Sequence, residues 1–287
     1  MRKLGIIGGM SWISTRAYYE RINKFVQKRA APMASPPLLI ESLDYSPIAA
    51  AKNADDWDLI ASTLIESARR LESAGAEGLV VAANAMHKVY DRLTEAVSIP
   101  VLHIADSVGK AMKEAECESA ALLGTRFVMT ESFYRQRLVS HGVNLLPPDP
   151  GDVELVDGII YKELMLGRVT RDAERALKTV ITMKEKEGAQ AIVLACTELE
   201  LVVDTDANVL PVFDSTDIHC RAAADWILGS AARGKTRILV GYDAWALDLL
   251  CRAAPTLVYS VWGAVGGAAR AGGALIRSHL TRNLSPV

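Results

Sequence analysis

The sequence predicts an α/β protein of two pseudo-symmetric halves, each a parallel sheet covered by helices, with the active-site cleft between them. Three observations carry this. Over residues 1–230, short apolar runs alternate with longer amphipathic stretches, the pattern of strands buried on both faces between crossover helices. Two segments recur further along the chain, at offsets of 116 and 113 residues. The second recurring segment ends both times in an abrupt polar turn and is followed by a strand that opens at a proline.

Element by element, residues 3–7 read as a strand and 15–28 as a helix; 37–41 follows as a strand. The stretch 55–74 is a helix whose apolar positions Ile60, Leu64 and Leu71 recur at helical spacing. Next come a strand over 78–82, a helix through 93, a strand over 101–103 and a helix over 106–116. The second half reads as strand 119–123, helix 131–140, strand 143–146, helix 172–187, strand 191–194, a strand at Val212 and a helix over 218–229. The repeat aligns Lys3–Gly8 with Ser119–Gly124, each with a hydroxyl six residues after the glycine, Ser14 and Thr130. It also aligns the run Gly78 to Asn84 with Ala191 to Thr197, which sets Ala83 opposite Cys196. The expected division is 1–105 plus 211–230 for the first half, 106–210 for the second, and 231–287 as an appendage.

Composition narrows the class. Half of the 287 residues are apolar and 23% are charged, too apolar for a disordered chain. The formal charge of −2 gives no basic balance for nucleic acid or an anionic membrane. From Ala231 onward seven Lys/Arg stand against two Asp/Glu, which leaves −7 on residues 1–230. The uncharged run 253–269 spans 17 residues and is broken by Pro255 and three glycines, short of a membrane span. Cys117, Cys196, Cys220 and Cys251 show no CxxC spacing, so neither a disulfide framework nor a zinc site is expected. The opening apolar run is too short for a secretory signal core, and the expectation is a cytoplasmic protein with reduced thiols.

Cys196 heads the candidates for chemistry. It ends a buried strand just before a helix-like segment, where backbone N–H dipoles favour a thiolate. Thr197 and Glu198 stand next to it to hydrogen-bond or share its proton. The competing reading is that a small apolar thiol packs well at a strand end. In the matching turn, Asn84 offers a donor and an acceptor, which suits an α-amino acid or a carboxylate. His87 is either a base or a buried histidine bonded to backbone. His103 and His219 follow the proline strands and are candidates to face the cleft. The Gly8-Gly9-Met10-Ser11 and Gly124-Thr125 turns suit backbone contact with a carboxylate, whereas a dinucleotide fingerprint is absent. Lys52 and Lys162 are the cationic candidates for a carboxylate.

These residues resemble the aspartate/glutamate racemase family. The motifs are Gly8-Gly9-Met10-Ser11-Trp12 with Ser14-Thr15, Gly75-Ala76-Glu77-Gly78, Asn84 with Met86-His87-Lys88, His103-Ile104-Ala105-Asp106, Leu122-Leu123-Gly124-Thr125, Cys196-Thr197-Glu198 and Leu210-Pro211-Val212-Phe213-Asp214. They recur in order over residues 1–230. The resemblance implies two α/β halves, a homodimer, no cofactor, no metal and an acidic amino acid as small-molecule substrate. It implies two bases, usually cysteines, on opposite faces of the substrate Cα, because one base alone returns the proton to the face it came from. Here the second is Cys196 and the first position is Ala83, which has no proton to give. Ala85 stands where the family usually has a hydroxyl, and Lys52 where a close relative has glutamine. The acid/base set implied is Cys196, His87 and Glu198, with Ala83 marking the missing base. The substrate contacts implied are Met10, Ser11, Lys52, Asn84, Ala85, Thr125, Thr130, Lys162 and Thr197. Three activities fit: an acidic amino-acid racemase impaired at one face, a one-thiol decarboxylase or isomerase of the same superfamily, and a paralogue that binds without turnover.

Overall fold

The computed structural model describes residues 1–205 and 207–229. The appendage over 231–287, with Cys251, lies outside the described residues. The first sheet has strand order β2-β1-β3-β4, with β1 Leu4–Gly8, β2 Leu38–Ser42, β3 Gly78–Val81 and β4 Val101–Leu102. The second has order β6-β5-β7-β8, with β5 Ser119–Gly124, β6 Asn144–Leu145, β7 Ala191–Ala195 and β8 Val212–Asp214. All pairings are parallel. The two orders are the same order shifted by four strands, so the internal repeat is the symmetry of the fold.

Sequence and layering agree at each central strand. In β1, Leu4 and Ile6 face one side with Val80 and Ala82; Ile7 faces the other with Leu79 and Val81. Helix α1 (Trp12–Arg29) closes the first face with Tyr18, Ile22 and Val26. Helices α2 (Tyr45–Asn53) and α3 (Trp57–Ser73) close the second with Ile48, Ile60 and Leu64. Every residue of β1, β3 and β7 is buried, while the edge strand β2 is half-exposed. That is why the central strands read as unbroken apolar runs.

After β3 the chain makes a 3-10 turn, Ala85–Val89, and the short α4 (Tyr90–Glu95), where one continuous helix was expected. It then crosses between halves. Helix α5 (Ile104–Glu114) follows β4 of the first sheet, yet its Ile104, Val108 and Met112 pack on Ala120, Leu122 and Val193 of the second. The same face takes Tyr134 and Leu138 of α7 (Ser132–Ser140), which follows the short α6 (Arg126–Thr130). The opposite face is covered by α8 (Pro150–Lys162) and α9 (Arg171–Lys186), through Val156, Ile160, Leu177 and Ile181. Helix α10 (Ser215–Leu228) follows β8 and returns to the first half, where Cys220, Ala223 and Ile227 join the α1 face. This corrects the expected division at 210/211. Val212, Phe213 and Asp214 pair with Ile192, Val193 and Leu194, so β8 completes the second sheet and the crossing comes after it. Helices α2, α6 and α8 were not expected from sequence.

Candidate active site

The polar ends of β3 and β7 face one small cavity. Its lining includes Ala83, Asn84 and Ala85 from the first half, and Ala195, Cys196, Thr197 and Glu198 from the second. Met10 and Thr125 join it from the two glycine turns. The space is about 40 Å³, enough for a water.

Cys196 is buried, and its Sγ donates to Glu198 Oε2 at 3.1 Å. Ser11 Oγ donates to the other oxygen, Oε1, at 2.7 Å. Thr197 Oγ1 donates to Oε2 at 3.1 Å, and Ser14 Oγ hydrogen-bonds Thr197 Oγ1. A carboxylate from one half is thus held by a serine from the other, with the thiol as a further donor. The surroundings of Cys196 favour the thiol rather than the thiolate. Burial and the neighbouring Glu198 carboxylate push the Cys196 thiol well up, and the Glu198 and Leu199 amides pull it down less. The thiol becomes a base when its proton moves to an acceptor, and Glu198 is in hydrogen-bond contact.

The Ala83 side is built differently. Ala83 presents a methyl group to the cavity, and Asn84 is buried with its Oδ1 unpartnered. Thr125 Oγ1 is likewise buried and unpartnered. Two orphaned polar atoms on one cavity are places for ligand groups, since leaving them bare costs about 1–3 kcal/mol each. Asn84 Oδ1 can accept from an ammonium, and Thr125 can donate to a carboxylate. The Gly9 amide expected to meet an anion donates to Thr15 Oγ1 at 2.7 Å instead. Gly9, at φ +88°, is required because a Cβ there would fall on the Leu43 carbonyl.

Several expected contacts lie elsewhere, among them Ser11, which is spent on Glu198. His87 does not line the cavity. Its Nδ1 bonds the Ala83 carbonyl at 3.0 Å, and its Nε2 accepts from the Ile104 N–H at 3.4 Å. Both ring nitrogens are occupied, and burial lowers its pKa to about 4, so it is a neutral brace under the Ala83 turn. His103 packs on it with ring centroids 4.6 Å apart, and His219 at 5.9 Å. Neither of these lines the cavity: His103 Nδ1 accepts from the Ala105 N–H at 3.1 Å, and His219 bonds Tyr18 OH at 2.7 Å and the Leu102 carbonyl at 3.2 Å. Thr130 is exposed at the end of α6 and bonds the Arg126 carbonyl, unlike its repeat partner Ser14. Lys162 is exposed on α8. Lys52 is buried at 3% exposure, behind the lining rather than in it.

Sequence reasoning missed Ser14 as a contact, and it missed Tyr45 and Tyr161, both of which line the cavity. Tyr161 sits on α8, which the sequence does signal: Asp149 caps it, Pro150 opens it, and Val153, Val156 and Ile160 recur at helical spacing.

Comparison with known proteins finds the same fold and one family. The family model for Asp/Glu/hydantoin racemase matches residues 7–223. The broad specificity amino-acid racemase RacX of Bacillus subtilis (strain 168) is 24% identical over 216 residues, covering 74% of this chain and 92% of that one. A Yersinia pestis protein solved as a candidate Asp/Glu racemase is 41% identical with a TM-score of 0.75, covering 80% of this chain and all of that one. An aspartate racemase homologue from Pyrococcus horikoshii OT3 is 31% identical with a TM-score of 0.71, again covering 80% and all. No helix among the described residues is long and apolar enough to cross a membrane.

Proposed function

Because the chain belongs to the Asp/Glu/hydantoin racemase family, we propose that it performs racemase-type α-proton chemistry on aspartate or glutamate without a cofactor, with its second face impaired. The observation that carries this is the contrast across the cavity: a thiol in contact with a carboxylate at Cys196, and a methyl group at Ala83.

The substrate's ammonium goes to Asn84 Oδ1 and its α-carboxylate to Thr125, with Met10 and Ala85 bounding the space. Removing an α-proton from an amino acid builds charge on the carboxylate, so donors fixed there lower the barrier. Cys196 passes its proton to Glu198, takes the α-proton, and returns a proton to the same face. Ser11, Ser14 and Thr197 hold Glu198 in place for that exchange. On the opposite face a water must stand in for the missing base. Exchange with retention is therefore fast and inversion slow.

A second reading is favoured by the same absence. One thiol suffices to protonate an enolate left by loss of CO2, which needs no second base. Incubation with L-aspartate and L-glutamate in D2O, followed by proton NMR and chiral chromatography, separates the two. Loss of the α-proton signal with slow appearance of D-product supports the proposal. No exchange with either amino acid, together with CO2 release from a disubstituted malonate, replaces it by the second reading.

A further inference from the structure

The 3-10 turn Thr197–Leu201 borders two cavities. Its Thr197 and Glu198 line the small one already described, and its Glu200 lines a larger one of about 820 Å³. Arg21 of α1 and Asp214 of β8 line that larger cavity with it. Arg21 donates through one guanidinium nitrogen to Glu200 Oε2 at 2.5 Å and through another to Asp214 Oδ2 at 2.8 Å. A third carboxylate, Asp217, stands 3.9 Å from Arg21 and is bonded by Arg221 at 2.6 Å. Glu114 and Asp204 also border this cavity, so its charge is acidic overall. Arg21 does not line the cavity of Cys196 and Ala83.

The turn has little of its own to hold it. The Leu199 N–H reaches the Cys196 carbonyl at 3.2 Å, and the Val202 N–H the Leu199 carbonyl at 3.2 Å. Leu199 sits in the core; among the described residues no side chain caps the start of the turn. The grip comes from α1, at three points: Ser14 on Thr197, Ser11 on Glu198 and Arg21 on Glu200. Ser14 and Arg21 lie about two helical turns apart and so share one face of α1. The first two ties are hydroxyl bonds. The third is a charge-assisted fork, a stronger kind of bond, and it joins the turn to the end of β8 as well. Two largely buried carboxylates share this one guanidinium. Burial and Asp214 push the Glu200 carboxyl up, and Arg21 opposes them. Without Arg21 the two carboxylates would repel, and the far end of the turn would lose its hold.

We infer that Arg21 is a positioning residue for the Cys196 site: by clasping Glu200 and Asp214 it fixes the turn on which Thr197 and Glu198 stand. It thereby sets the contact of Cys196 Sγ with Glu198, at 3.1 Å, from outside the cavity. The inference rests on the α-proton reading for its consequence in rate. Arginine suits the place because its planar guanidinium can serve two carboxylates from two fixed directions. The clasp also joins the halves, since α1 covers the first sheet while the turn and β8 belong to the second.

The test sets two broken ion pairs of the full chain against each other. Arg21→Met opens the clasp. Lys184→Met breaks a buried pair that borders neither cavity, Lys184 with Asp152 at 2.7 Å and Glu187 at 2.8 Å. Two quantities are read: α-proton exchange, and the rate at which iodoacetamide alkylates Cys196, followed by mass spectrometry of its peptide. The second needs no substrate. Arg21→Met should lower the kcat of exchange about thirtyfold with KM within about threefold, within the range for a catalytic group displaced by about 1 Å. It should raise Cys196 alkylation about tenfold as the turn opens locally. Lys184→Met should leave both within about threefold, whatever it does to Tm. Glu200→Met leaves Arg21 its Asp214 partner, and it should act in the same direction if the Arg21 variant folds poorly. Alkylation within about twofold of the wild type in both clasp variants overturns the inference. So does an equal rise in Lys184→Met, which would mean general loosening, or wild-type kcat in Arg21→Met. No exchange in the wild-type chain, with alkylation rising in the clasp variants and not in Lys184→Met, sinks the α-proton reading and leaves the clasp standing.

Discussion

The ends of β3 and β7 occupy equivalent places and carry opposite kinds of machinery. At the β7 end a thiol, a carboxylate and three hydroxyls form one network that crosses from half to half. At the β3 end the turn carries a methyl group and is braced from beneath by His87, with His103 and His219 packed on it. The fold repeats because packing repeats: both strands are four- or five-residue apolar runs buried between helices. The chemistry does not, because it depends on single side chains that packing leaves unspecified. Repeat symmetry therefore predicts where a catalytic group would sit, and nothing about whether it is there.

The largest expected effect comes from breaking the network at the β7 end. Cys196→Ser should lower α-proton exchange by about a thousandfold, within the range for loss of a positioned acid/base; full exchange in that variant would end the assignment.

The β3 end should respond to acid instead. Burial lowers the pKa of His87 to about 4 and of His219 to about 3, below the unfolded value near 6.5. The unfolded chain therefore binds more protons, and stability must fall as pH drops from about 6.5 through about 4. For His87 alone that is roughly 3 kcal/mol. Urea melts of the wild type and His87→Asn at pH 7 and pH 5 should show a smaller pH loss in the variant. An equal loss would remove the histidine brace from the account.

Glu198→Gln asks what the carboxylate does for the thiol. Its charge helps keep the thiol protonated, so as a bystander its removal would speed exchange. As the proton's receiver, its removal should slow exchange at neutral pH by about thirtyfold, while the thiol titrates at a lower pH by ultraviolet absorbance. The sign of the rate change decides. The smallest expected change is a gain: Ala83→Cys should raise the ratio of D-product to exchanged L-product by about tenfold. An unchanged ratio would place the limiting defect elsewhere in the turn.

The apolar strands, the repeat and the positions of Ala83, Asn84, Cys196 and Thr197 were legible because each is set by local pattern. What escaped was rotation about helices. Lys162 was chosen and its neighbour Tyr161 was not, yet one residue turns about 100° around a helix, and Tyr161 is the one that faces the cavity. Thr130 fails as the counterpart of Ser14 because it ends a five-residue helix while Ser14 lies in the first turn of α1. Lys52 was legible as a cation, but its tyrosine partners, Tyr45 and Tyr161, come from helices not expected from sequence. The placement of β8 escaped because the proline strand marks the approach to the crossing, and the crossing itself comes one element later.

The crossing of α5 and α10 has a consequence for ancestry. Each helix leaves one sheet and covers the other, as an arm is exchanged between partners in a domain-swapped dimer. A single half would leave bare the face that its twin's helix covers, so such a half is complete only in pairs. In a pair of identical chains both strand ends must carry the same residue, and a change at one is a change at both. Joining the copies in one polypeptide removes that bond of identity, and one end can then keep its thiol while the other settles for alanine.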